Sequence, residues 1–163
     1  MNDLKILQVI CDIIKEYCNL KKEQIYIYNQ KYIIPNTTDA FVSVGLTGTT
    51  DYANNSINNN ENETVYLHKL LSVDINVYSY DFQAMALKDK ISIAFKSYTA
   101  EKKQELYAFK IQNQLNWRNI NEIDGDKILY RFNTNINVLS MVKNENIIDF
   151  YNKQNLNNFI INK

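Results

Sequence analysis

Two stretches of the chain keep apolar residues at alternate positions for longer than any others, and they set the expected architecture. In the first, Val65, Leu67, Leu71, Val73, Ile75 and Val77 alternate with Tyr66, His68, Ser72, Asp74, Asn76 and Tyr78. A period of two places the apolar set on one side of a long strand running from Val65 to Tyr80. Lys69 interrupts that row and Leu70 the opposite one, which predicts a bulge or a change of neighbour there. In the second stretch, KILYRFNTNINVLSMV, the apolar row is Ile128, Tyr130, Phe132, Ile136, Val138 and Val142. It alternates with Lys127, Arg131, Asn133, Asn135 and Asn137. Rows of matching length and character predict one antiparallel sheet with helices over its apolar face.

The helices follow the longer period. Over Leu4–Leu20, the residues Ile6, Ile10, Ile13, Tyr17 and Leu20 form a stripe that Leu7, Cys11, Ile14 and Cys18 widen. Asn2 or Asp3 can cap its start. After Asp81, a favoured N-cap residue, Ala84, Leu87, Ile91, Ala94 or Phe95, and Tyr98 share a face, predicting a helix over Phe82–Tyr98. Thr99 opens a shorter helix with Glu101 in its positively polarised first turn. Its inner face is expected at Leu106 and Phe109 and its end near Asn113.

Short strands are expected from Gln24 and over Ala40–Leu46, with a turn-rich link at Asn36–Asp39. Leu115–Ile123 is expected to be extended and to lead into a hairpin turn at Asp124-Gly125. Thr47–Thr64, TGTTDYANNSINNNENET, offers almost nothing to bury and is expected to be a long mobile loop.

These elements make an α+β fold with a largely antiparallel sheet and helices packed on one face. Residues 1–143 read as a single domain whose last strand ends at Val142, and residues 144–163 as a C-terminal arm. The arm's apolar clusters, Ile147–Tyr151 and Phe159–Ile161, are too short and too far apart for a core of their own. Phe150, Tyr151, Phe159, Ile160 and Ile161 are costly to leave in water, so they are expected to act between subunits or partners. The alternative is an arm that folds back on its own subunit.

Composition removes several function classes. The chain carries 18 basic and 18 acidic residues, intermixed, and so lacks the basic stripe that phosphate contacts require or that an acidic membrane surface would attract. Gly45, Gly48 and Gly125 are the only glycines, too few for phosphate-cradling loops, and Gly45-x-x-Gly48 lacks a third glycine and a following helix. MNDLKILQVICD is broken by charge, so no signal peptide is read there and the product is expected to begin in a cytoplasm. No apolar run approaches the ~18 residues of a spanning helix.

Candidate chemistry is equally thin. His68 is the only histidine, and no nucleophile motif stands near it. The histidine and cysteine count is too low for a structural zinc site. Cys11 and Cys18 lie ~10 Å apart on one helix, beyond disulfide reach. Glu122, Asp124 and Asp126 form an acidic hairpin tip without the further ligands of a calcium loop. No catalytic residues, cofactor or metal are expected. The many tyrosines and phenylalanines read as core and interface packing, because base stacking would need a basic groove beside it.

The segments KLLSVDINVYSYDFQAMALKDKISIAFKS and LNWRNINEIDGDKILYRFNTNINVLS resemble the tail terminator (neck terminator) proteins of tailed bacteriophages. Shared features are a proline before a strand, here KYIIPNTTDAFVSV, a long strand running directly into a helix, and an aromatic-arginine pair, here Tyr130-Arg131. The resemblance covers roughly Leu4 to Val142. The run Tyr78-Ser-Tyr-Asp81 departs from it, since relatives tend to carry a small residue before the helix. What it implies is a non-enzymatic virion component at the neck, assembled in the host cytoplasm. Such a protein forms a homo-oligomeric ring, a hexamer in this family, which ends growth of the tail tube protein and docks the head-tail connector protein. Two other classes fit the same order of elements. One is another head-tail adaptor, such as a head completion protein of a phage or phage-like injection system. The other is a small ligand-binding domain or enzyme, which would need a deep pocket with convergent polar groups.

Overall fold

The computed structural model of the protein describes residues 2–28, 39–59, 62–112, 115–124 and 127–147. Helix α1, Asp3–Cys18, begins where Asn2 Oδ1 accepts the Lys5 N–H at 2.9 Å and ends at Asn19, whose left-handed φ of 55° stops the helix. It buries Ile6, Leu7, Val9, Ile10, Ile13, Ile14 and Cys18. Val9 takes the place in the buried stripe expected of Tyr17, which is exposed.

A single 3₁₀ turn, Lys22–Gln24, leads into β1, Ile25–Ile27. Two long strands follow: β2, Phe41–Asn59, and β3, Asn62–Ser79. Helix α2, Gln83–Ala94, buries Ala84, Leu87, Ile91 and Ala94. Helix α3, Tyr98–Leu106, is capped by Ser97, whose Oγ accepts the Ala100 N–H at 3.2 Å. Short strands β4 (Phe109–Ile111), β5 (Arg118–Asn119) and β6 (Glu122–Asp124) precede the long β7, Lys127–Ile147.

The sheet runs β1-β2-β3-β7-β4, with β5 and β6 also paired to β7. Only β1 against β2 is parallel; the remaining pairs are antiparallel. The fold is therefore α+β with a mostly antiparallel sheet. The expected hairpin after β6 is present, with Asp124 opposite Lys127, and the two connecting residues lie outside the described residues. The link at Asn36–Asp39 lies outside them too, apart from Asp39.

One sheet face builds the core. Val42 and Val44 of β2, Leu71, Val73, Ile75 and Val77 of β3, and Phe132, Ile136 and Val138 of β7 are buried against the helices. Each large side chain so buried contributes about 1.5–3 kcal/mol relative to exposure. Lys69 continues the same row past Leu71 and meets Asp3 at the start of α1, Nζ to Oδ1 3.8 Å. The interruption in the apolar row is thus where the strand passes the N-terminal end of α1. The irregularity expected near Lys69 lies in the partner strand: the β2–β3 register slips between Leu46 and Gly48 and again between Asp51 and Ala53, the latter opposite Lys69 and His68. The β3–β7 register runs unbroken from Asn62–Ile147 to Ser79–Tyr130.

Four expectations are corrected. Thr47–Thr64 is not a loop: β2 continues through it to Asn59 and β3 starts at Asn62, because the paired backbone of β3 templates β2 without any apolar row of its own. The last strand does not finish at Val142; it continues to Ile147, pairing Lys143–Ile147 with Asn62–Tyr66. The helix expected to reach Tyr98 stops at Ala94, since Ser97 caps a new helix and Tyr98 is exposed on it. Finally, α3 ends at Leu106, an exposed residue, and Ala108 at φ 49° turns the chain so that Phe109 belongs to β4. Its inner residues are Ala100 and Gln104.

Candidate interaction surface

Two regions of the sheet lack helical cover: the face opposite α1 and α2, and the ends of β2, β3 and β7. The uncovered face carries a polar ladder. Asn76, almost fully buried, takes three donors on Oδ1: Arg131 Nε at 3.2 Å, an Arg131 terminal nitrogen at 3.1 Å and Asn133 Nδ2 at 3.1 Å. Asn135 Nδ2 donates to Asp74 Oδ1 at 2.7 Å, and Asn133 Nδ2 approaches Asp74 Oδ2 at 3.5 Å. The other side of the Arg131 guanidinium pairs with Glu122 at the start of β6.

Aromatic rings flank this ladder. Arg131 lies over the Tyr78 ring at 5.3 Å, and Tyr78 stacks on Phe41 with centroids 4.7 Å apart. The Tyr28 ring covers Gly45, where a Cβ would overlap it. Burial and then the nearby Asp74 carboxylate raise the Tyr28 hydroxyl above its ordinary pKa. Every charge here is spent within the sheet, so the ladder locks strand register and orients Arg131 rather than presenting a reactive group.

The second region is an arm. From Leu71 back to Glu63 burial falls, and no residue of β3 from Glu63 to Leu70 is buried. Along β2, every residue from Thr47 to Ile57 is exposed, including Tyr52 and Ile57. Three strands therefore run on together past the body, β3 in the middle with Val65, Tyr66, Leu67 and Leu70 half-buried. Among the described residues, the outer edge of β2 from Thr47 to Asn59 faces no further strand, and β7 has no second neighbouring strand beyond Ser140. Exposed strand edges of this length are templates for pairing with another chain.

The residues weighed for chemistry are dispersed. His68 stands in the arm beside Tyr52, ring centroids 6.1 Å apart, and makes no ion pair among the described residues. Cys11 and Cys18 are free thiols in α1; burial pushes Cys11 up to about 12 and Cys18 up to about 11, so both are poor nucleophiles at neutral pH. Among the described residues there is no group of three or more His, Cys, Asp or Glu able to hold a metal, and no helix long and apolar enough to cross a membrane. The interaction residues expected in the C-terminal arm, Phe150, Tyr151, Phe159, Ile160 and Ile161, lie outside the described residues.

Sequence reading missed both the Asn76–Arg131 ladder and the arm. A signal for the ladder was present: Asn133 and Asn135 fall opposite Asn76 and Asp74 once the two long strands are put in register. An apolar patch at the opposite pole was legible only in part. Phe82 packs its ring on Tyr130 at 5.2 Å, and it, Ile123 and the cross-strand partner Ile128 remain exposed. Compared with described protein families and with curated proteins, the chain matches none.

Proposed function

We propose that this protein is a structural ring component at the head-proximal end of a phage tail tube, where it ends tube growth and joins the tail to the head connector. The observation that carries the reading is the three-stranded arm, whose outer β2 edge, Thr47–Asn59, runs clear of the helix-covered body. An edge of that length is an aggregation hazard in a free monomer and a bonding surface in an assembly. A closed ring satisfies it through repeated head-to-tail contacts between unlike surfaces of neighbouring copies.

Three further features support the reading. The segments from Lys69 to Ser97 and from Leu115 to Ser140 resemble tail terminators. The two faces of the sheet divide labour, one packed on helices and one held rigid by the Asn76–Arg131 ladder. Balanced charge suits contacts with other proteins better than a grip on nucleic acid.

The test is assembly. Purified protein is sized by light scattering and imaged by negative stain, alone and with tail tube protein. Sixfold rings, and tubes capped at one end, are the expected result. A protein that stays monomeric at high concentration and leaves tube growth unchanged overturns the reading. Binding to the connector without binding to the tube would instead assign it to the head completion class.

A further inference from the structure

β4 covers the outer edge of β7 only as far as the pair Phe109–Ser140, and where it stops a groove of about 320 Å³ opens. Ala108, Phe109, Leu139 and Met141 give it an apolar lining, and Tyr52 and His68 close its arm side. Ser140 is more than nine-tenths buried at its base, and its Oγ has no hydrogen-bond partner among the described residues. Met141 is partly exposed beside it. An extended segment arriving here would prolong the line of β4 along Met141–Lys143 and cover apolar surface.

We propose that the occupant is this chain's own C-terminal segment, with Phe159–Ile161 seated in the groove. Length and direction of the chain beyond β7 both point to it. β7 ends at Ile147, and sixteen residues follow it. A chain that continues a strand and pairs with the same strand must reverse, so the return runs antiparallel, back towards Met141 and the groove. With a hairpin connection of about two to five residues, one of positions 156–159 falls opposite Met141. Phe159, Ile160 and Ile161 then overrun the free edge at the level where β4 begins, and there the groove receives them. The arm's second apolar cluster thus sits at the spacing from Ile147 that the groove demands, while Phe150 and Tyr151 fall at or just after the turn. Docking in this way uses the fold-back alternative for the arm and leaves the β2 edge free for neighbours.

Lys110 is exposed and lines the groove, so the test places Lys110→Cys and Ile161→Cys in one full-length chain and joins them with a short bis-maleimide. The expected product is a cross-link within one chain, and control chains with one added cysteine report any reaction of Cys11 and Cys18. Adding Phe159→Asp and Ile160→Asp is expected to lower the yield at least tenfold. An equal yield in that variant means a tethered but undocked tail and overturns the proposal. So does a full-length chain that gives no cross-link. In a mixture of chains carrying one added cysteine each, the expected result is no cross-link between chains; a dominant one would place the tail on a neighbour and overturn the assignment. None of these readouts depends on ring or neck assembly, so failure here and failure of the ring reading are separate results.

Discussion

Three donors meet at a single oxygen of Asn76, and this side chain, not the histidine or the cysteines, is the polar residue on which the open sheet face depends. Replacing Asn76 with Ala leaves part of the Arg131 guanidinium without its acceptor and the Asn133 amide with only the longer contact to Asp74. It is expected to destabilise the fold by about 1–3 kcal/mol, read as a lower urea midpoint with an unchanged slope. Gln104 plays a similar part on the helix side: its Oε1 accepts the Ile111 N–H at 2.8 Å and its Nε2 donates to Ala100 O. Gln104→Leu keeps the volume but orphans a buried backbone donor, and a loss of about 1–3 kcal/mol is expected in the same assay. Asp81 adds a pH dependence. Ser79 Oγ and the Gln83 N–H both donate to its carboxylate and hold it below the ordinary carboxylate pKa, the Ser79 bond first. A lowered folded pKa means that the carboxylate's stabilisation is fully present above about pH 4, the unfolded value. It is lost as pH falls through the folded pKa. Asp81→Ala is therefore expected to be less stable than the parent at neutral pH, with the two unfolding curves converging below pH 4. His68→Ala, by contrast, is expected to leave assembly intact, because its imidazole meets the Tyr52 ring and takes part in no ion pair among the described residues; a folded variant that no longer joins tails would show otherwise.

Elements with a strong period were legible in the residues, and elements held by their neighbours were not. α1 and β3 each carry an apolar row that buries the same residues the period marks, Ile6, Ile10 and Ile13 in one and Leu71 to Val77 in the other. β2 beyond Leu46 has no such row. Its Asn- and Thr-rich text reads as a loop because nothing in it needs burial, and it is a strand because, apart from Thr47 and Tyr52 at the two register slips, its positions are paired with β3. Backbone pairing of this kind leaves no local trace beyond a few β-formers such as Thr49, Thr50 and Tyr52. The break between α2 and α3 is another case: Ala94, Phe95 and Tyr98 continue a helical stripe on paper, and only the Ser97 cap divides it. Gln104 satisfying the last residue of β4, Ile111, had no sequence signal at all. A consequence for β2 follows from its one-sided pairing. In the isolated protein, amides of β3 from Glu63 to Leu70, flanked on both sides, are expected to exchange slowly. Those of β2 from Thr47 to Ile57 that point to the outer edge are expected to exchange fast, alternating with protected neighbours. Uniform protection along β2 would mean that its edge is already covered.

On the scale of the molecule, the body and the arm are built to different standards, and that difference yields the sharpest test of the ring reading. The core residues of the sheet are Val42 and Val44, the alternate residues from Leu71 to Val77, Phe109 and Ile111, and Phe132, Ile136 and Val138, all in one buried cluster with α1 and α2. The arm holds only half-buried side chains on β3 and mostly exposed ones on β2 and β7, and these contribute little to the body. Its removal can follow the register. Asp51 pairs with Lys69, and Lys69 with Ser140, so joining Asp51 to Lys69 through Asn-Gly and ending the chain after Met141 shortens all three strands at one level. The Asn-Gly pair suits the two-residue turn that such a hairpin needs. This cut leaves the Asn76–Arg131 ladder and the Lys69–Asp3 pair in place. The shortened protein is expected to fold, with helical content kept and a melting temperature within about 5 °C of the parent, the change that ~1 kcal/mol makes in a domain of this size. It is also expected to lose ring formation and the capping of tail tubes. Retained rings would show that neighbours meet through another surface, such as the apolar patch at Phe82, Ile123 and Ile128. A shortened chain that cannot fold would instead make the arm part of the stability core, contrary to its burial.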